Sequence, residues 1–206
     1  MSRMAAQPEN AESILHFWFG AGRDEAEVIR EKSALWWKKD PRIDEEIRRR
    51  FELTLDAELR GEHASWDKLP GGRLARILLC DQFPRNMYRG NARAFAYDQA
   101  ARRLARAVLD QKIDQTLRPV ERVFVYLPFE HSENAADQIT GVRLFTLLHE
   151  QAPDATKAAY GNFLDFALRH KEIIDRFGRF PHRNSVLGRI STPEEQEFLK
   201  ARGSSF

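Results

Sequence analysis

Cysteine is almost absent. The 206-residue chain has one, Cys80, so no disulfide can form within it and no Cys/His spacing fits a structural zinc site. That usage suits a reducing compartment, and a cytoplasmic location is expected. Cys80 follows Ile77-Leu78-Leu79, which reads as a small buried apolar residue rather than a nucleophile. Long hydrophobic runs are missing too. No stretch approaches the ~20 apolar residues needed to cross a bilayer, and the N-terminus lacks the basic segment and apolar run of a signal peptide. No membrane partner is therefore expected. Glycine and proline, 11 and 9 in all, are scattered as punctuation and leave no visible linker. The expected organisation is a disordered polar tail over residues 1–9, then one all-helical domain over 10–206.

Runs that alternate apolar with polar residues are also lacking, which excludes a sheet-dominated fold. The common catalytic templates fail in turn. There is no phosphate loop, no dinucleotide-binding glycine turn and no Gly-x-Ser-x-Gly elbow. No cofactor is expected, and whether the chain is an enzyme stays open. Charge of one sign is not in excess, since 33 basic residues face 31 acidic ones for a net +2. Many lie in helical register with one another, as in Asp44-Glu45-Glu46-Ile47-Arg48-Arg49-Arg50. This is an ion-paired helix surface, and no nucleic-acid partner is expected.

What is present is helical periodicity almost throughout. Asn10 caps a first helix stopped by Gly20, and Glu25–Lys38 forms a second. Asp40-Pro41 reads as N-cap plus N1 proline for a third, with Ile43, Ile47, Phe51, Leu55 and Leu59 at four-residue steps. Pro70-Gly71-Gly72 resets the chain, and the next helix runs to Phe83-Pro84, read as its stop. Asp98 caps another. Pro119 opens one that Pro128 interrupts, and Ser132 or a neighbour restarts it. Pro153-Asp154 begins a long helix closed by Gly178, and Thr192-Pro193-Glu194-Glu195 is a capping box. About eight to ten helices with short connections point to an all-α fold, bundled or stacked as an α-α superhelix.

Three constellations can carry chemistry. In Asp81-Gln82-Phe83-Pro84-Arg85-Asn86 with Arg89, the arginines can clamp a carboxylate or phosphate. Equally, Asp81 and Arg85 can be an ion pair closing a helix end. Asp81 sits where the apolar face expects a hydrophobe, so it needs a partner. In the second, Glu130-His131-Ser132-Glu133 with Asp137, helical spacing puts Glu130, Glu133 and Asp137 on one face. Glu130 or His131 then serves as an acid–base group. An oxygen-rich metal site is conceivable there, but acids at a helix start are routine, and no metal is assigned. The third, Arg169-His170, then Arg176, Arg179, His182, Arg183 and Asn184, ending at Gly188-Arg189, is an anion site or the counter-charge to those acids. Equally, its first members are helix C-terminal cations before Gly178, which explains Arg169 and His170 well. The turn at Phe180-Pro181 repeats the Phe83-Pro84 pattern, so the two can face one another across a cleft.

The segments Phe17-Trp18-Phe19-Gly20, Leu78-Leu79-Cys80-Asp81-Gln82-Phe83-Pro84-Arg85-Asn86, Pro128-Phe129-Glu130-His131-Ser132-Glu133 and Arg176-Phe177-Gly178-Arg179-Phe180-Pro181-His182-Arg183-Asn184 resemble the bacterial family called "domain of unknown function 924". Cys80 departs from the leucine expected there. The resemblance spans Ile14 to Phe206 and implies a tetratricopeptide-like superhelix, but no activity. It places the signature polar positions on Asp81, Gln82, Arg85, Asn86, Glu130, His131, Ser132, Glu133, His182, Arg183 and Asn184.

The expected function is a polar cleft binding a small anionic ligand. Asp81, Gln82, Arg85, Asn86, Arg89, Glu133, Arg179, His182, Arg183 and Asn184 would bind it, and Glu130 or His131 would do any catalysis. The alternative is a tetratricopeptide-like scaffold that grips an acidic protein segment, its polar cluster a structural ion-pair network. Oligomeric state is not readable.

Overall fold

A computed structural model describes residues 8–201, 203 and 204. Among these residues it has nine α-helices, four short 3-10 segments and no strand. The fold is all-α. Among the described residues no helix is long and apolar enough to cross a membrane. Most of the expected tail lies outside the described residues. Glu9 is described, and its N–H donates to Thr54 Oγ1 while its carboxylate pairs with Arg50.

Local sequence sets the helix ends. The side chain of Asn10 accepts the Ser13 N–H to start α1 (Ala11–Phe19), which ends at Gly20. Asp24 caps α2 (Glu25–Trp37) in the same way. Asp40 with Pro41 opens α3 (Pro41–Leu59), whose buried face carries Ile47, Phe51 and Leu55. Thr192 and Glu195 form the reciprocal capping box of α9 (Pro193–Phe198). The helices α7 (Ala135–Gln151) and α8 (Asp154–Phe177) are joined by two residues and pack along one another as a hairpin. Gly178 closes α8 at φ 67°, a left-handed conformation that glycine adopts without strain.

The central element is α4 (Pro70–Met87). It packs against α1, α3, α5 (Asp98–Asp110) and α6 (Pro119–Glu130). A helix surrounded in this way is apolar on every side rather than along one stripe, and Leu74, Ile77, Leu78, Leu79 and Phe83 are all fully buried. Its first turn slides under the loop at Trp66. A Cβ on Gly72 would lie 2.1 Å from the Trp66 carbonyl oxygen.

Three expectations at this level are corrected. Pro84 does not stop α4, and Pro128 does not interrupt α6; both prolines lie inside their helices. An interior proline costs about 3 kcal/mol, but burying Phe83, Phe129 and their neighbours offsets that by about 1.5–3 kcal/mol per side chain. Asp98 is the first residue of α5 rather than its cap, which is Tyr97. Pro70-Gly71-Gly72 forms the first turn of α4, where the chain resets, and the neighbour of Ser132 that caps α7 is Asn134.

Candidate functional site

A cavity of about 640 Å³ opens where α2, α4, α6, α8 and the 181–183 turn meet. Three helices line it with regular stripes. From α4 and just past its end come Gln82, Arg85, Asn86 and Arg89; from α6 and its C-cap, Val123, Leu127, Glu130 and His131; from α8, Ala159, Asn162, Phe163, Phe166 and His170. These positions recur at three- and four-residue steps, so each set is one helix face. The stripes of α6 and α8 change character along their length. Both run from apolar residues to a polar end, at Glu130-His131 and at His170 respectively. His182 and Arg183 close that end, while Trp36, Trp37, Lys38 and Lys39 of α2 and its C-terminal flank line another side.

Behind the polar end lies Asp81, fully buried. His131 Nδ1 is 2.9 and 3.0 Å from its two carboxylate oxygens, Gln82 donates to it at 2.6 Å, and Arg85 Nη1 is 3.4 Å away. Burial alone would push the Asp81 pKa up. The Arg85 charge and the His131 and Gln82 contacts outweigh that and hold it well below the usual range. His131 is held below its own ordinary pKa by burial and by Arg85, against the pull of Asp81. It is therefore a neutral imidazole whose Nδ1–H donates to Asp81, and the lone pair sits on Nε2, the ring edge away from Asp81. That is the arrangement of an oriented general base.

Two arginines approach from opposite sides of the polar end. Asp98 bridges them, with Arg85 Nη1 at 2.9 Å from one oxygen and Arg183 Nη1 at 3.2 Å from the other. Arg183 lies between the rings of Phe95 and Phe180, its guanidinium carbon 4.5 Å from each centroid. It is 6% exposed. Arg183 Nε and Arg85 Nη2 are both buried and have no hydrogen-bond partner among the described residues. Burial, and next the like charge of Arg85, lower the Arg183 pKa to about 10. Burial and Arg183 similarly lower that of His182 to about 4.

Glu130 is 4% exposed. Burial and then Asp81 raise its pKa well above the ordinary value, with Arg85 opposing, so its neutral form is favoured. His170 Nδ1 donates to the Phe166 carbonyl at 2.8 Å and lies 3.2 Å from Glu130. Burial holds His170 neutral as well. One donor atom each from Glu130, His131 and His170 lies within 4.8 Å of the others, near enough to share a metal ion. A Glu130 biased toward its neutral form, with the Arg85 charge acting on it, favours an anion at this end instead.

The predicted residues divide into two groups. Gln82, Arg85, Asn86, Arg89, Glu130, His131, His182 and Arg183 line the one cavity, with Asp81 directly behind it. Glu133, Arg179 and Asn184 are elsewhere. Glu133 accepts from Arg189 at 2.7 and 2.9 Å and from the Phe180 N–H. Arg179 binds Glu195 and the Ile190 carbonyl, and Asn184 donates to Ser191 and Glu195. Nor do Glu130, Glu133 and Asp137 share a helix face: Glu130 ends α6, Glu133 is in the turn, and Asp137 is in the first turn of α7, bonded to Arg106 and Ser132. Asp98 as a site residue, the two lysines and the apolar wall carry no signal of a site in the sequence. His170, which reads from the sequence as a helix C-terminal cation, instead lines the cavity on one face of α8 with Phe163 and Phe166.

Residues 14–203 match the family described as bacterial protein of unknown function (DUF924), and the chain belongs to that family. A solved structure of a protein of unknown function, ATU0120 from Agrobacterium tumefaciens, is similar to it at 37% identity and a TM-score of 0.76. The match covers 92% of this chain and 96% of that one. No curated protein matches the chain.

Proposed function

We propose that the cavity binds a small anionic molecule through Arg85 and Arg183, and that His131 handles a proton beside it. The observation that carries this is the pairing of the half-buried Arg85 of α4 with the buried Arg183 of the 181–183 turn across a single bridging carboxylate, Asp98, at the wall of one cavity. Two guanidiniums drawn together out of water repel one another. An anion placed between them relieves that repulsion and takes up donor capacity left over in each fork. Gln82 and Asn86, on the same α4 face, supply neutral hydrogen bonds that orient it. His131, steadied by Asp81, accepts a proton at Nε2 from the ligand or from a water beside it, and neutral Glu130 is the group able to return one.

The structural-network reading applies to a different part of the molecule. Glu133–Arg189 and Arg179–Glu195–Asn184 tie the 178–195 segment to the turn after α6 and to α9, and none of these residues lines this cavity. They hold the turn that carries His182 and Arg183.

The test is thermal unfolding of the wild type and Arg183→Met with phosphate, sulfate, acetate and succinate. A ligand at a hundred times its Kd adds about 2.7 kcal/mol. Stabilisation of the wild type that disappears in Arg183→Met supports the reading. Equal responses in both proteins, or none from any anion, overturn it.

A further inference from the structure

Resting on that anion site, we infer that its ligand is an amphipathic monocarboxylate, with its head at Arg85 and Arg183 and an apolar body along the wall formed by α2, α6 and α8. The cavity has two chemically distinct ends, set by the same helices. Along α6 the lining changes from Val123 and Leu127 to Glu130 and His131, and along α8 from Phe163 and Phe166 to His170. Seven residues separate Val123 from Glu130 and Phe163 from His170, about 10 Å of helix at 1.5 Å per residue. A small inorganic anion would use only the last turn of each stripe.

On α2 and α8 the apolar part is open surface, while Val123 and Leu127 of α6 form its buried floor. Trp37 is 45% exposed and Phe166 46%, and both line the cavity. The Trp37 ring stacks on Phe124 at 5.9 Å and contacts Phe163 at 5.7 Å, so it is held as part of a fixed wall. Large apolar residues exposed within a concave site, with a few convergent polar groups at one end, are the composition of a small-molecule pocket, and the volume lies within the ~300–1,000 Å³ usual for one.

Charge balance selects the head group. Asp81 and Asp98 already offset the two guanidiniums, and Asp44 offsets Arg89 through hydrogen bonds of 2.8 and 2.9 Å. The two guanidiniums and two carboxylates at the head sum to zero, so a single carboxylate leaves one charge to its hydrogen bonds where a dianionic phosphate leaves two, and Lys38 and Lys39 line another side of the cavity.

The experiment is calorimetric titration of the wild type with acetate, butyrate, hexanoate and octanoate, alongside octanol, octyl phosphate and inorganic phosphate. Affinity should rise about fourfold per methylene until the chain fills the wall, and octanoate should exceed both octanol and octyl phosphate. Ala159→Phe, which narrows the apolar end, should cost octanoate at least tenfold and leave acetate unchanged. If octanoate binds no better than acetate, or octyl phosphate binds more tightly than octanoate, the inference falls while the anion site stands. If octanol equals octanoate, or no anion binds at all, the anion site itself falls.

Discussion

Nδ1 of His131 lies 2.9 and 3.0 Å from the two oxygens of Asp81, a carboxylate with no exposed surface. The relationship joins α6 to α4, and it fixes both the charge of one group and the tautomer of the other. Asp81 also compensates Arg85. Replacing it with asparagine leaves that guanidinium short of a counter-charge, a change that costs roughly 3–5 kcal/mol. Removing His131 leaves Asp81 with Arg85 and Gln82, so His131→Ala should cost less than half as much. Urea unfolding of both single variants and the double variant measures this. Equal losses for the two singles would mean that Arg85 does not depend on Asp81.

His182 supplies a pH dependence whose sign is fixed. Its folded pKa is about 4 against an ordinary 6.5, so the unfolded chain takes up the proton first. Stability is complete above pH 6.5 and declines as pH falls toward 4. For this group alone the loss between pH 7 and pH 5 is about 2 kcal/mol. The groups around it are Arg183, His131 and Arg85, which disfavour its charge, and Glu133, which favours it. His131 and His170 are lowered in the same direction, so the comparison needed is wild type against His182→Asn. The variant should show a shallower decline over that interval, and parallel curves would remove His182 from the account.

Gly72 and Gly141 make a matched pair. Both are helical, and alanine is normally better there by about 0.5–1 kcal/mol. At Gly72 the new Cβ would meet a backbone oxygen at 2.1 Å, whereas at Gly141 the nearest atom is 3.4 Å away. Gly72→Ala should therefore lower stability by about 1–3 kcal/mol through overpacking. Gly141→Ala should be neutral or slightly stabilising. Denaturant midpoints decide this, and a stable Gly72→Ala would mean that the Trp66 loop yields easily.

These contrasts also show where the sequence was informative. Caps at Asn10, Asp40 and Thr192 are local chemistry, because the side chain and the N–H it accepts are two or three residues apart. They were readable for that reason. The prolines at 84 and 128 were misread as stops, because packing around α4 and α6 overrides the local penalty. Within the site, residues announced themselves when they broke a pattern, as Asp81 does on an apolar face. Asp98 broke none, since an acid at a helix start is ordinary. Its bridging of Arg85 and Arg183 joins three distant segments. The apolar wall was hidden differently: Trp37, Phe163 and Phe166 look like core in sequence, and only the packing of α2 beside α8 leaves them lining a space.

Glu130 separates anion chemistry from cation chemistry at the polar end. Burial and Asp81 raise its pKa well above 4.5, so the folded state pays a growing penalty for an ionisable group as pH rises above that value. Glu130→Gln keeps the shape and removes the penalty. The variant should equal the wild type near pH 4 and be the more stable protein at pH 8, as read from urea midpoints. In the anion reading, zinc or manganese leaves both melting curves in place. The opposite result is equally definite. If a divalent ion raises the wild-type melting temperature and Glu130→Gln abolishes the rise, then Glu130, His131 and His170 are metal ligands. Asp81 would then be the carboxylate that orients a ligating histidine, and Arg85 and Arg183 would serve a metal-bound anion.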